Sequence, residues 1–193
     1  MNIDPFQLFN DWYAEELKQS KVRIPSACCI SSIGLDGYPN ARFVSLKEVK
    51  NNTFIITGPS KSRKGLEIEQ SSKVSLTFWW ETTEKQIRIQ GDAIKISDTE
   101  AIRYFDQRGK DSKIISIISE QGAPIKNIDV LKQKYIETEI IYKNKDIAKP
   151  ENWSGYAIQP IRIECMEFEK SRFHKRTLFQ LEGKDWITST LQP

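Results

Sequence analysis

The chain has 193 residues and a mass of 22.4 kDa, with 38% hydrophobic residues, 28% charged residues and a formal net charge of +3. That builds one ordinary domain with a core and excludes disordered, collagen-like and low-complexity classes. Balanced charge argues against a nucleic-acid binder, while three cysteines (Cys28, Cys29, Cys165) and one histidine, His174, suit neither a disulfide framework nor an ordinary zinc site.

Residues 4–19 read as a helix. Asp4 caps it, Pro5 suits its first turn, and Phe6, Phe9, Trp12 and Leu17 lie near one face. The segment lacks a signal-peptide core, so the cytoplasm is the expected compartment. No stretch of eighteen apolar residues occurs, so no membrane span is expected. Short strands follow at 27–33, 41–49 and 53–57, with turns at Leu35-Asp36-Gly37 and Asn51-Asn52. A basic loop, 58–65, leads into a short helix at 66–70, and two long strands occupy 74–80 and 85–97.

The pattern then turns helical at 98–108, 112–120 and 127–142, with a polar connector up to Asn152. Strands return at 155–169, 172–182 and 185–191. Short connections favour antiparallel pairing. The expected fold is α+β: one domain built on an antiparallel β-barrel, with an N-terminal arm (1–20), a helical insertion (98–142) and C-terminal strands (155–193).

Three clusters carry candidate chemistry. The first joins Arg42 and Lys47, on opposite faces of one strand, to the loop containing Ser62, Arg63 and Lys64. Hydroxyls, cations and backbone N–H groups before a helix can cradle a phosphate, although a solvated loop has the same composition. The second is Arg172, His174 and Arg176, which strand alternation projects to one face. They suit an anion or form an exposed basic ladder. The third is Tyr104, Arg108 and Ser112, one stripe of a helix at i, i+4 and i+8. A solvated helix face would look the same. No GxSxG motif supports a serine hydrolase. The tryptophans at 79, 80, 153 and 186 read as core or interface.

Seven segments in order are DPFQLFNDWYAEE, DGYPNARFVSLK, SRKG, KQIRIQG, YFDQRGKDS, SEQG and RFHKR. Together they resemble the pyridoxine/pyridoxamine 5'-phosphate oxidase family, flavin mononucleotide (FMN) enzymes with a split β-barrel. The resemblance implies that Arg42, Phe43, Val44, Ser45, Leu46 and Lys47 form a flavin-binding strand. Ile56, Thr57, Ser62, Arg63 and Lys64 would form the flavin phosphate and ribityl loop, and Gln86, Gln121, Gly122, Met166 and Arg176 further flavin contacts. Lys47, Tyr104, Arg108 and Ser112 would hold the substrate phosphate. Arg172 and His174 would line the pyridine ring.

It also implies a homodimer with sites built from both chains: Arg42 to Lys64 and Gln86 from one, Gln121 and Arg176 from the other. The implied reaction oxidises a phosphorylated B6 vitamer with molecular oxygen. This chain departs from the family at Met166, where a tryptophan is usual, and at Phe173 and Lys175, where leucine and aspartate are usual. Alternatives are a flavin oxidase of another ring substrate, of the phenazine-pathway type, and a non-catalytic flavin or pyridoxal-phosphate carrier.

Overall fold

The computed structural model describes residues 3–193. Helix α1 (Pro5–Gln19) is followed by β1 (Ala27–Ile33), β2 (Pro39–Lys50), β3 (Thr53–Pro59), α2 (Arg63–Gln70), β4 (Lys73–Trp80) and β5 (Lys85–Lys95). Then come α3 (Asp98–Asp106), α4 (Lys110–Ile118) and α5 (Ile128–Ile141), and finally β6 (Trp153–Glu167), β7 (Lys175–Glu182) and β8 (Asp185–Leu191). Among the described residues no helix is long and apolar enough to cross a membrane.

The strand order is β3-β2-β1-β4-β5-β6-β7-β8, and pairing of β3 with β6 closes the first six strands into an antiparallel barrel. Strand β6 makes this possible by serving two partners on one edge. Its first half pairs with β3 from Trp153 to Ile158, and its second half pairs with β7 from Arg162 to Glu167. A register shift on β5 at Gln90/Gly91 lies opposite Pro160, which has no N–H to donate to a ladder.

Alternation decides the core. On β4 and β5, Leu76, Phe78, Trp80, Ile87 and Ile89 point inward and are buried, while their neighbours face outward. Helix α1 covers one end of the barrel, its N-terminus held by Asp4 Oδ1, which accepts from Phe6 N–H at 3.0 Å. Phe6 and Phe9 are buried, and Phe9 meets Phe54 and Phe78 edge-on at 4.9 and 5.2 Å. Leu17, expected on the same face, is 46% exposed. A second apolar cluster outside the barrel joins Ile55, Ile96, Tyr104, Phe105, Ile114 and Trp153 and seats α3 and α4.

Two local expectations change. The strand expected from residue 172 begins at Lys175, so Arg172 and His174 sit in the preceding connection and are not aligned with Arg176 by strand alternation. A turn causes this: Arg172 N–H donates to Glu169 C=O at 3.0 Å, and Arg172 adopts φ +66°. The single helical stripe expected for Tyr104, Arg108 and Ser112 is also broken. Helix α3 ends at Asp106 and α4 begins at Lys110, with Gly109 as its N-cap.

Candidate functional site

A cavity of about 290 Å³ opens between β2, β3, the start of α2 and α4. Lys47, Lys64 and Arg108 bring three cations to its wall, with hydroxyls or amide from Ser45, Thr57, Ser116, Ser119 and Gln121. Among the described residues no carboxylate lines it. Three uncompensated cations repel one another and favour an anion between them.

Local structure puts each of them there. The β2–β3 pairing slips between Leu46 and Glu48, making Lys47 the extra residue of a bulge and turning it toward the cavity. Lys47 has its pKa lowered by burial and then by the charge of Arg108. Ser62 caps α2, its Oγ accepting from Gly65 N–H at 3.3 Å, so Arg63 and Lys64 lie in the first turn of the helix, not in the expected loop. Only glycine fits at 65, because a Cβ there would meet Ser60 C=O at 2.0 Å. Lys64 runs inward beneath β3: a Cβ on Gly58 would lie 2.9 Å from its Nζ. Burial first, and then the charge of Arg42, lowers the Lys64 pKa to about 8.

Among the described residues two buried polar atoms at the cavity lack a partner, Thr57 Oγ1 and Arg108 Nε. Orphaned buried donors are costly, and an anionic ligand would satisfy them. Arg108 is otherwise fixed. Its guanidinium lies 5.2 Å from the Trp153 ring centroid and donates to Ser112 C=O at 3.1 Å and Ser116 Oγ at 3.3 Å.

Arg42 and Arg63 do not line this cavity. Both bind Glu67, a carboxylate with no exposed side-chain surface: Arg42 Nη2 at 2.5 Å and Arg63 Nε at 2.9 Å. Ser32 Oγ and Asn40 Nδ2 donate to the same carboxylate at 2.6 and 2.7 Å. Burial pushes the Glu67 pKa up, but hydrogen bonds from Ser32, Asn40, Arg63 and Arg42 outweigh it and hold the group at about 2. Leu46 and Ile56 point into the barrel core. Tyr104 is buried with its hydroxyl on Glu48, and Ser112 is exposed on α4. Gly122 lines a neighbouring cavity of about 540 Å³ with Lys61, Ser62 and Arg63.

A second group lies on the outer face of the sheet. Trp79, Gln86, Met166 and Arg176 are direct cross-strand neighbours, one from each of β4, β5, β6 and β7, and therefore share a face. Arg176 donates to Glu164 Oε1 through Nε at 3.0 Å and Nη2 at 2.7 Å, and Arg88 pairs with the other oxygen of that carboxylate. Nearby, His174 Nδ1 accepts from Glu169 N–H at 3.0 Å, which leaves Nε2 as the N–H position of a neutral ring. Within one chain, then, Gln121 accompanies Lys47, Thr57 and Lys64, and Gln86 accompanies Met166 and Arg176. The expectation placed Gln86 with the Arg42–Lys64 group and Gln121 with Arg176 in sites shared between two chains.

Sequence reasoning missed Ser116, Ser119 and Glu67, and assigned Trp153 only to the core or interface. Glu67 had a signal, lying four residues after Arg63 on a helix. The serines had none, because their place depends on the break between α3 and α4.

A closed six-stranded antiparallel barrel extended by two further strands defines the FMN-binding split-barrel fold class. The sequence profile of pyridoxamine 5'-phosphate oxidase matches residues 14–142, and that of the pyridoxine 5'-phosphate oxidase C-terminal dimerisation region matches residues 153–193. The pyridoxine/pyridoxamine 5'-phosphate oxidase of Leptospira biflexa is 35% identical over 99% of this chain and 90% of its own length. That of Acaryochloris marina is 33% identical over 100% and 88%. Among solved structures, PhzG from Burkholderia lata, in complex with tetrahydrophenazine-1-carboxylic acid, superposes with a TM-score of 0.92 at 25% identity, over 98% of this chain and 93% of that one.

The chain belongs to the pyridoxine/pyridoxamine 5'-phosphate oxidase family and is by that membership an oxidoreductase.

Proposed function

We propose that this protein is an FMN-dependent oxidase of pyridoxamine 5'-phosphate or pyridoxine 5'-phosphate, forming pyridoxal 5'-phosphate and hydrogen peroxide with oxygen as acceptor. The observation that carries this reading is the carboxylate-free cavity walled by Lys47, Lys64 and Arg108 with an orphaned Thr57 hydroxyl. Those groups fit a phosphate ester. Lys64 and Thr57 would hold the phosphate of the cofactor, and Lys47 and Arg108 that of the substrate, through charge-assisted hydrogen bonds. Bound FMN supplies a two-electron acceptor that oxygen regenerates. Arg172 and His174 would orient the pyridine ring, with His174 donating from Nε2. The Gln86, Met166 and Arg176 row would complete a neighbouring site in a homodimer, in line with the matched dimerisation region.

Aerobic turnover of pyridoxamine 5'-phosphate by FMN-reconstituted protein tests this. Equal amounts of aldehyde and peroxide are expected. Bound flavin without aldehyde would sink the reading. A second reading, oxidation of a non-phosphorylated ring acid, draws on the Tyr104 hydroxyl being engaged by Glu48 and on Ser112 facing solvent. It predicts that removing the substrate phosphate leaves binding unchanged, whereas the first reading predicts its loss.

A further inference from the structure

Two guanidiniums stand beside the cationic cavity without entering it. Arg63 lines the neighbouring cavity, which shares Pro59, Ser119 and Gln121 with the first. Arg42 is close enough that its charge acts on Lys64. Both arginines are held by one group. The Glu67 carboxylate, with no exposed side-chain surface, takes Arg42 Nη2 on Oε2 at 2.5 Å and Arg63 Nε on Oε1 at 2.9 Å. Ser32 tightens the tie: its Oγ donates to Glu67 at 2.6 Å and accepts from Arg42 Nη1 at 2.5 Å.

Glu67 follows Lys64 by three residues on α2, so the two project from adjacent positions of one helix, with Cβ atoms about 5–6 Å apart. The Lys64 pKa nonetheless responds only to burial and to Arg42. The carboxylate is directed at the arginines and away from the lysine. It is ionised at neutral pH, because its hydrogen bonds outweigh its burial. A buried charge acts through little intervening solvent. Glu67 therefore repels an anion in the cavity, and it withholds from that anion two guanidiniums suited to bidentate contact with a phosphate. A neutral group of the same shape would do neither.

We propose that Glu67 is a positioning residue for the cofactor: an internal counter-anion that ties Arg42 and Arg63 beside the cavity and so limits how tightly the site takes the phosphate of FMN. This rests on the FMN reading of the cavity and adds to it the group that sets the affinity. The rest of the flavin is uncharged, so the effect is confined to the phosphate.

The test uses the full chain freed of flavin and titrated with FMN and with riboflavin, which lacks the phosphate, read by quenching of flavin fluorescence. Glu67→Gln should tighten FMN roughly tenfold and leave riboflavin unchanged. Loss of a carboxylate with a merely structural role would weaken FMN or leave it alone; it would not tighten it. Ser32→Ala, which removes the atom bridging Glu67 and Arg42, should raise the ratio of FMN to riboflavin affinity in the same direction, by about threefold.

A ratio unchanged or lowered in Glu67→Gln overturns the counter-anion, and the FMN reading stands if wild type still prefers FMN to riboflavin. Where Glu67→Gln does not fold, Ser32→Ala decides by the same criterion. Tighter FMN in Glu67→Gln, with no turnover of pyridoxamine 5'-phosphate by wild type, keeps the counter-anion and overturns the oxidase alone. Wild type that binds FMN no better than riboflavin overturns the phosphate cavity and the proposal with it.

Discussion

Lys64 carries the sharpest consequence at the scale of single residues. Its ammonium is buried, faces a cavity without carboxylates and has a pKa of about 8, far below that of an ordinary lysine. An anion bound beside it favours the protonated form, so binding near and above pH 8 must take up a proton. The affinity for FMN should therefore fall as pH rises through 8, and calorimetric titrations in buffers of different ionisation enthalpy should show proton uptake. Lys64→Met should weaken FMN roughly 10- to 100-fold, the range expected for one charge-assisted hydrogen bond, with the flavin absorbance spectrum as readout. An unchanged affinity would place the phosphate elsewhere. Lys64 was legible in the sequence because SRKG is a local motif. Arg63, its neighbour, turns to Glu67, and nothing in the motif reveals where a helix turns its side chains.

Among the elements, α2 depends on its buried carboxylate. Glu67 ties that helix to Ser32 of β1 and to Asn40 and Arg42 of β2. Its folded pKa of about 2 lies below the ordinary carboxyl value of 4.5. A depressed acid stabilises the fold above its unfolded pKa, and that contribution disappears as pH falls through the folded one. Glu67→Gln should therefore cost roughly 2 kcal/mol near neutrality and progressively less between pH 4.5 and 2, measured by urea unfolding. Helix α1 makes a different contribution. Phe9 fills the barrel end against Phe54 and Phe78, and Phe9→Ala should destabilise by about 3–5 kcal/mol with FMN binding kept, read as a lowered Tm. Alternating strands were readable to within a residue or two, as was the Asn51-Asn52 turn, whose residues adopt φ 49° and 58°. The start of β7 was not, because RFHKR has strand composition and only the Glu169–Arg172 turn removes its first half from the ladder. The α3–α4 break was equally hidden, since residues 104–112 keep helical spacing across Gly109.

For the whole molecule, the proposed homodimer would divide the two groups of site residues between subunits. If each site joins the cavity of one chain to the Met166–Arg176 row of the other, Lys64→Met and Arg176→Ala chains should complement each other. Mixed after reversible dissociation, half the dimers are heterodimers with one intact site of two, so about a quarter of wild-type activity should return from two nearly inactive parents. No recovery would place both groups in one subunit's site. The shared strand adds a consequence of its own. Because β6 gives one half to barrel closure and the other to the C-terminal strands, amide protons along it report on both. In native-state hydrogen exchange, Trp153–Ile158 and Arg162–Glu167 should open together and at the slowest rate in the protein. Dilution should speed both halves equally, so that the association constant is written into the protection of a strand inside the barrel.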